Sequence, residues 1–275
     1  MAQVTMAEIT YLRKMTGAGM MDCKNALIEA EGDFDKAVEI IRKKGQAVAA
    51  KRSDRDAAEG CVLAKSEGGF AAVIALKCET DFVAKNADFI ALTQEILDLS
   101  IANQSADLAA VNALTLGKGT VADVVVDRSG ITGEKTELDG YGFVKGATTV
   151  AYIHPGNKLA TIVAFNQAGV DYQVARDVAM QVAAMNPISI DRASIPADVL
   201  EKERAIAAEK AREEGKPENI IGTIAEGRIV KFYKEVCLLE QEFVKDPKKT
   251  IAQYLDGASK GLTVTDFKRF TLNVD

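Results

Sequence analysis

The spacing of apolar residues changes several times along this chain, and each change marks an expected element. From Thr5 the period is that of short helices. Thr5 and Glu8 stand at capping-box separation before Ile9, Leu12 and Met15, and Gly17-Ala18-Gly19 stops the run. A second helix is expected from about Asp22, with Ala26, Leu27 and Ala30 on its apolar stripe and Gly32 at its end. Asp33 caps a third helix, with Phe34, Ala37, Val38 and Ile41 inward as far as Gly45. The stretch QAVAAKRSDRDAAEG that follows lacks an apolar face and reads as a partly helical linker, with a boundary near Ser53.

From Cys61 the pattern becomes that of strands. CVLAK, the turn-like SEGG and FAAVIALK form a hairpin, followed by a helix carrying Phe82, Phe89, Leu92, Ile96 and Leu99. The order then recurs: ATTVAYI, the turn HPGN and KLATIVAFN form a second hairpin, and VDYQVARDVAMQVAAM a second helix with Val174, Val178 and Met185 on one face. The recurrence is one of pattern, and it predicts a duplicated α+β module in which each sheet is covered by its own helix. Between the halves, Val121 to Val126 and Gly140 to Val144 fit either helix or strand.

After Ile195-Pro196, ADVLEKERAIAAEKAREEG is a charged amphipathic helix broken at Gly215-Lys216-Pro217, and ENIIGTIAEGRIVKFYKEV returns. The pair predicts a protruding antiparallel hairpin with a shared apolar seam, which offers a surface for a homodimer. A short helix near Ile251 to Leu255 and the alternation of Phe270, Leu272 and Val274 close the chain with sheet character.

With 275 residues the chain exceeds the usual single-core size, so several compact units are expected. Its formal net charge of -6 argues against an extended phosphate-binding surface, and no direct nucleic-acid partner is expected. No apolar run reaches the roughly 18 residues needed to span a bilayer, and MAQVTMAEIT lacks the basic and apolar regions of a secretion signal. A cytoplasmic location and no membrane partner follow as expectations. Cys23, Cys61, Cys78 and Cys237 form no C-x-x-C pair and are read as buried thiols.

Motifs for substrate chemistry fail on inspection. Thr16-Gly17-Ala18-Gly19 has no preceding strand and carries Asp22 where a third glycine would stand, so it is a helix-helix turn. Leu116-Gly117-Lys118-Gly119-Thr120 lacks the lysine followed directly by Ser or Thr, and the earlier glycine, of a phosphate loop. The single histidine, His154, sits in a turn before Pro155 with no evident catalytic partner. No carboxylate pair has acid-base or metal-ligand spacing, so neither a metal nor a cofactor is expected.

Two places remain. In TDFVAKNADF, Thr80 or Asp81 can cap a helix. Phe82 has two open placements, inward beside Phe89 or outward as an aromatic wedge. Met20-Met21 pose the same choice between core and an adaptable partner contact.

Two segments carry a resemblance that covers nearly the whole chain. LRKMTGAGMMDCKNAL, Leu12 to Leu27, and CETDFVAKNADF, Cys78 to Phe89, resemble the two signatures of the bacterial elongation factor Ts family. EGKPENI, EGRIVKFYKEV and EFVKDPKKTIAQYL continue the likeness. The resemblance implies a guanine-nucleotide exchange factor for elongation factor Tu, which binds the GDP-bound and nucleotide-free forms and is not itself an enzyme. It implies a ubiquitin-associated-like three-helix domain over 1–53 and a first core subdomain over 54–146. A second subdomain follows over 147–190 and 229–275, with a helical hairpin inserted over 191–228. It further implies that Thr80, Asp81, Phe82 and Val83 displace the partner's magnesium ion, and that Met20, Met21 and His154 touch the partner. Two other readings are a helical adaptor whose three-helix unit binds peptides, and a cysteine enzyme using Cys78, which has no nearby histidine to activate it.

Overall fold

The computed structural model describes residues 4–272. The N-terminal unit consists of α1 (Met6–Thr16), α2 (Met20–Glu29) and α3 (Phe34–Lys51). Thr5 and Glu8 close a capping box on α1, Gly17 ends it, and Asp33 caps α3 through the Lys36 N–H. Ile9, Leu12, Cys23, Ala26, Leu27, Ala30 and Ala37 form its small core. Two expectations shift here. The second helix begins at Met20, not near Asp22, because Gly19 serves as N-cap and Asp22 lies in the first turn. Met15 stands exposed outside the core.

The third helix does not stop at Gly45. It continues to Lys51, and Gly45 is buried where α3 crosses α7 (Val121–Thr132). A Cβ on Gly130 of α7 would lie 2.1 Å from the Gly45 Cα, so the two backbones touch. Glycine inside a helix costs about 1 kcal/mol in propensity, and here close helix packing offsets it. Arg42 of α3 pairs with Asp123 of α7 at 2.9 Å and with Asp127 at 3.7 Å beside that crossing.

The first half of the core contains β1 (Glu59–Glu67), β2 (Phe70–Cys78), α4 (Asp81–Ala84), α5 (Ala87–Ala102), α6 (Leu108–Ala113), the two-residue strands β3 (Thr115–Leu116) and β4 (Gly119–Thr120), α7, and β5 (Glu137–Lys145). Gly68 and Gly69 have φ of 57° and 81°, the left-handed pair a two-residue hairpin turn requires. The second half contains β6 (Thr148–Ile153), β7 (Leu159–Phe165), α8 (Tyr172–Met185), α9 (Ala197–Glu213), α10 (Glu218–Val236), short strands β8 (Glu242–Phe243) and β9 (Asp246–Thr250), α11 (Ile251–Ala258) and β10 (Val264–Thr271).

The strand orders are β1-β2-β5 and β6-β7-β10. In each half a third strand returns antiparallel beside the second strand of the hairpin. The segments that fitted either helix or strand are thereby resolved, since Val121 to Val126 open α7 and Gly140 to Val144 lie in β5. Val274 lies outside the described residues.

Strand alternation explains the layering. On β2, Phe70, Ile74 and Leu76 face α5 with Phe89, Ile96 and Leu97, while Ala71, Val73 and Ala75 face the other sheet. On β7, Ala160, Ile162 and Ala164 meet that interface, while Val163 and Phe165 pack with Val178 and Val182 of α8 and with Ile251 and Leu255. Alanine-rich inner faces let the two sheets approach, so four layers stack with both sheets inside. Met185 is the exception on α8, exposed where the helix ends at Asn186.

α9 and α10 pack side by side with Ala207, Ala211, Ile221, Ala225 and Ile229 buried. Ion pairs Arg204–Glu226, Arg212–Glu218 and Arg228–Glu214 flank that seam. α10 is one continuous helix through Val236. Among the described residues no helix is long and apolar enough to cross a membrane.

Candidate functional site

The stretch Thr80 to Val83 follows directly where β2 leaves the sheet. Thr80 is the N-cap of α4, its Oγ1 accepting from the Val83 N–H at 3.4 Å. The Thr80 N–H and hydroxyl donate to the two carboxylate oxygens of Glu134, at 3.0 and 2.6 Å. One residue earlier, Glu79 accepts from the Lys135 backbone N–H at 2.6 Å. It also accepts from Arg52 Nη1, at 2.8 and 2.9 Å on its two oxygens. Consecutive residues of one loop are thus held by consecutive residues of another, and Arg52 at the end of α3 joins the same cluster. The Glu79 carboxyl lies below its ordinary value, chiefly because the Lys135 N–H favours its anion, with Arg52 adding to this against burial.

The helix beyond this clasp is only one turn long. Val83 packs against the first-half core and Ala84 is buried. Successive helical positions point about 100° apart, so with Val83 and Ala84 turned inward, Phe82 projects away from the core. It is 84% exposed, the most exposed large apolar side chain among the described residues. The expected single helix carrying both Phe82 and Phe89 is therefore two helices. Asn86 caps α5, accepting from the Asp88 and Phe89 N–H groups at 2.9 and 3.3 Å, and the break separates buried Phe89 from exposed Phe82. Of the two open placements of Phe82, the break leaves the outward one.

Asp81 opens α4, and its carboxylate accepts from Lys85 Nζ at 2.6 Å. That bond chiefly holds the Asp81 carboxyl below its ordinary value, and the charge of Lys158 adds to the effect. Lys158 pairs with Glu59 at 2.9 Å and follows the turn that carries His154. The same turn is fixed to β1, since the Val62 N–H donates to the Asn157 carbonyl at 2.7 Å. Tertiary folding therefore brings the second hairpin turn into electrostatic reach of Asp81. His154 itself is exposed, with Nδ1 3.0 Å from the Tyr152 hydroxyl.

Met20 and Met21 lie at the start of α2, 44% and 64% exposed, so neither is a core residue. Two flexible thioethers side by side on a surface suit an adaptable apolar contact. α7 links the two regions, since α3 crosses it at Gly130 and Glu134 follows its C-terminal end.

Cys78 is fully buried, and burial chiefly pushes its thiol up to about 12. Its Sγ donates to the Thr80 carbonyl at 3.2 Å. A protonated, enclosed thiol is no nucleophile, which removes the cysteine-enzyme reading.

The residues that sequence reasoning missed are Arg52, Glu79, Glu134 and Lys135. Glu134 lies 54 positions from Thr80, so no local pattern pairs them.

Fold and site together define a modular α+β protein whose distinctive surface is a solitary aromatic held out from a polar clasp. Comparison with known proteins is specific. The family model described as Elongation factor TS matches residues 79–274. The chain is 60% identical over 273 residues to Elongation factor Ts of Porphyromonas gingivalis, covering 99% of both chains. It is 56% identical over 272 residues to that of Azobacteroides pseudotrichonymphae, and 54% identical over 329 to that of Bacteroides thetaiotaomicron, again with 99% of each covered. The chain belongs to the elongation factor Ts family.

Proposed function

We propose that this chain is the guanine-nucleotide exchange factor of a bacterial elongation factor Tu. It binds the GDP-bound partner, displaces the partner's magnesium ion, and promotes GDP release so that GTP enters. The observation that carries the site assignment is Phe82, a large aromatic held almost wholly in solvent by a firmly bonded loop. Such a ring has transfer free energy to release once it finds an apolar slot, about 1.5–3 kcal/mol.

GTPases hold their nucleotide through backbone N–H groups, a lysine and a magnesium ion that bridges phosphate and protein oxygens. Phe82 acts as a wedge that shifts magnesium-supporting elements of the partner, with Thr80 and Val83 fixing its direction and Asp81 supplying polar contact. Coupling is reciprocal, so a factor that weakens GDP binding is itself bound more weakly by the GDP form in the same ratio. A ~10⁴-fold acceleration of release requires about 5.5 kcal/mol, more than one ring provides. Met20, Met21 and His154 supply further grip on the partner, working in the cytoplasm where it resides.

In this reading the ubiquitin-associated-like unit over 1–53 grips the partner, the subdomains over 54–146 and over 147–190 with 229–275 carry the wedge and its support, and the arm over 191–228 offers a surface to a second copy. An adaptor function would leave the clasped aromatic without a role. The test is release of a fluorescent GDP analogue from bacterial elongation factor Tu in excess GDP, with and without this protein. Strong acceleration is expected, and a release rate independent of added protein would refute the proposal.

A further inference from the structure

The clasp beneath Phe82 is one side of a closed ring of contacts. α3 meets α7 at Gly45 and Gly130. Just past α7, Glu134 and Lys135 hold Thr80 and Glu79. Glu79 returns to α3 through Arg52, whose Nη1 lies within 2.9 Å of both carboxylate oxygens. The ring joins the exposed methionines of the N-terminal unit to the aromatic, through groups that are not themselves exposed contact residues.

Exposed ion pairs usually contribute little, and the surface pairs along α9 and α10 are of that kind. This one differs in two ways. The Glu79 side chain is only 14% exposed, and its carboxylate also accepts a backbone N–H, so charge-assisted bonds with fixed directions meet at one group. The pair also sits at a joint: Arg52 is the residue on which α3 ends, and Glu79 is the residue before the cap of α4.

We infer that Arg52, Glu79 and Glu134 are positioning residues for nucleotide exchange. They fix the direction in which α4 presents Phe82 and make the wedge move as one body with the N-terminal unit when that unit grips the partner. The inference rests on the exchange reading above and deepens it. Without the latch, α4 is held only by its backbone and by the packing of Val83 and Ala84, and grip from Met20 and Met21 no longer drives the ring home. The loss then falls on the conversion of the bound complex, not on its formation.

The experiment compares wild type, Arg52→Ala and Arg52→Lys as full-length proteins, reading release of the fluorescent GDP analogue from elongation factor Tu across a titration of factor. For Arg52→Ala the saturating release rate falls about three- to tenfold, the loss expected from one charge-assisted bond that is part exposed. The half-saturating concentration stays within about twofold. Arg52→Lys, whose ammonium can replace a contact made through one nitrogen, restores most of the rate. In the free proteins, amide hydrogen exchange of the peptides spanning 79–85 and 134–136 quickens in Arg52→Ala and recovers in Arg52→Lys. An unchanged saturating rate in Arg52→Ala, or a loss confined to the half-saturating concentration, overturns the positioning role while leaving exchange activity standing. A wild-type protein that does not accelerate release overturns the exchange reading, and the positioning role with it.

Discussion

Replacing Phe82 with alanine separates the two things an aromatic can do for a protein. In the free molecule the ring is 84% exposed and its neighbours Val83 and Ala84 occupy the inward positions. Its removal should leave folding stability within about 0.5 kcal/mol, as for other surface substitutions. On a partner the same ring, once buried, contributes about 1.5–3 kcal/mol. At 1.36 kcal/mol per tenfold, that range corresponds to a fall of roughly 10- to 150-fold in the maximal acceleration of release. The assay is stopped-flow release of a fluorescent GDP analogue from elongation factor Tu at saturating factor, alongside thermal melts of the free proteins. Binding should stay measurable, because Met20, Met21 and the second hairpin turn are untouched. Wild-type release by the variant, or a melting temperature several degrees lower, refutes the reasoning. The first result would deny the wedge, and the second would make Phe82 a structural residue.

Other consequences follow from the same geometry. Gly130→Ala places a Cβ 2.1 Å from the Gly45 Cα, an overpacking expected to lower the melting temperature by about 2–12 °C. An unaltered melt would show that α3 and α7 can separate freely. Glu79 has a folded-state pKa below its ordinary 4.5, so its stabilising effect is full above that value and is lost as pH falls through the folded one. Amide protection of Lys135 should therefore decline below about pH 4.5, and Glu79→Gln should flatten that decline; an identical pH profile in both proteins would contradict the assignment. Cys78, buried with its thiol pushed up to about 12, should resist iodoacetamide at neutral pH until the protein unfolds, and blocking reagents should leave exchange intact. Rapid modification of Cys78 in the folded protein would count against the buried, protonated thiol.

Local signals in the sequence were enough for a good part of the fold. Thr5 with Glu8, Asp33 and Gly68-Gly69 act over a few residues, through caps and turn conformations that need no tertiary partner, and each works in the structure as its chemistry predicts. The continuous apolar runs in FAAVIALK and KLATIVAFN are likewise legible, since a short unbroken run bounded by turn signals suits a strand buried on both faces. Gly45 misled because a glycine reads as a stop until the helix crossing it is known. Val121 to Val126 resisted assignment for a related reason, since a β-branched run suits a strand until Thr120 and Asp123 close a capping box and α3 covers the helix.

At the site the division is sharper. The adjacency of a capping threonine, a carboxylate and an aromatic in TDFV is written in the chain, and so is the family likeness that gives it meaning. Whether Phe82 turned in or out was not, because both directions satisfy a helical period. Tertiary structure decided it by giving the inward side to Val83 and Ala84 and by breaking the helix at Asn86. The clasp of Arg52, Glu79, Glu134 and Lys135 joins segments far apart in the chain, through bonds whose partners are chosen by the packing of α3 on α7 and of β2 on β5. Caps, turns and periodicity are short-range and therefore legible residue by residue, whereas the direction of an exposed side chain depends on long-range contacts that exist only once the chain has folded.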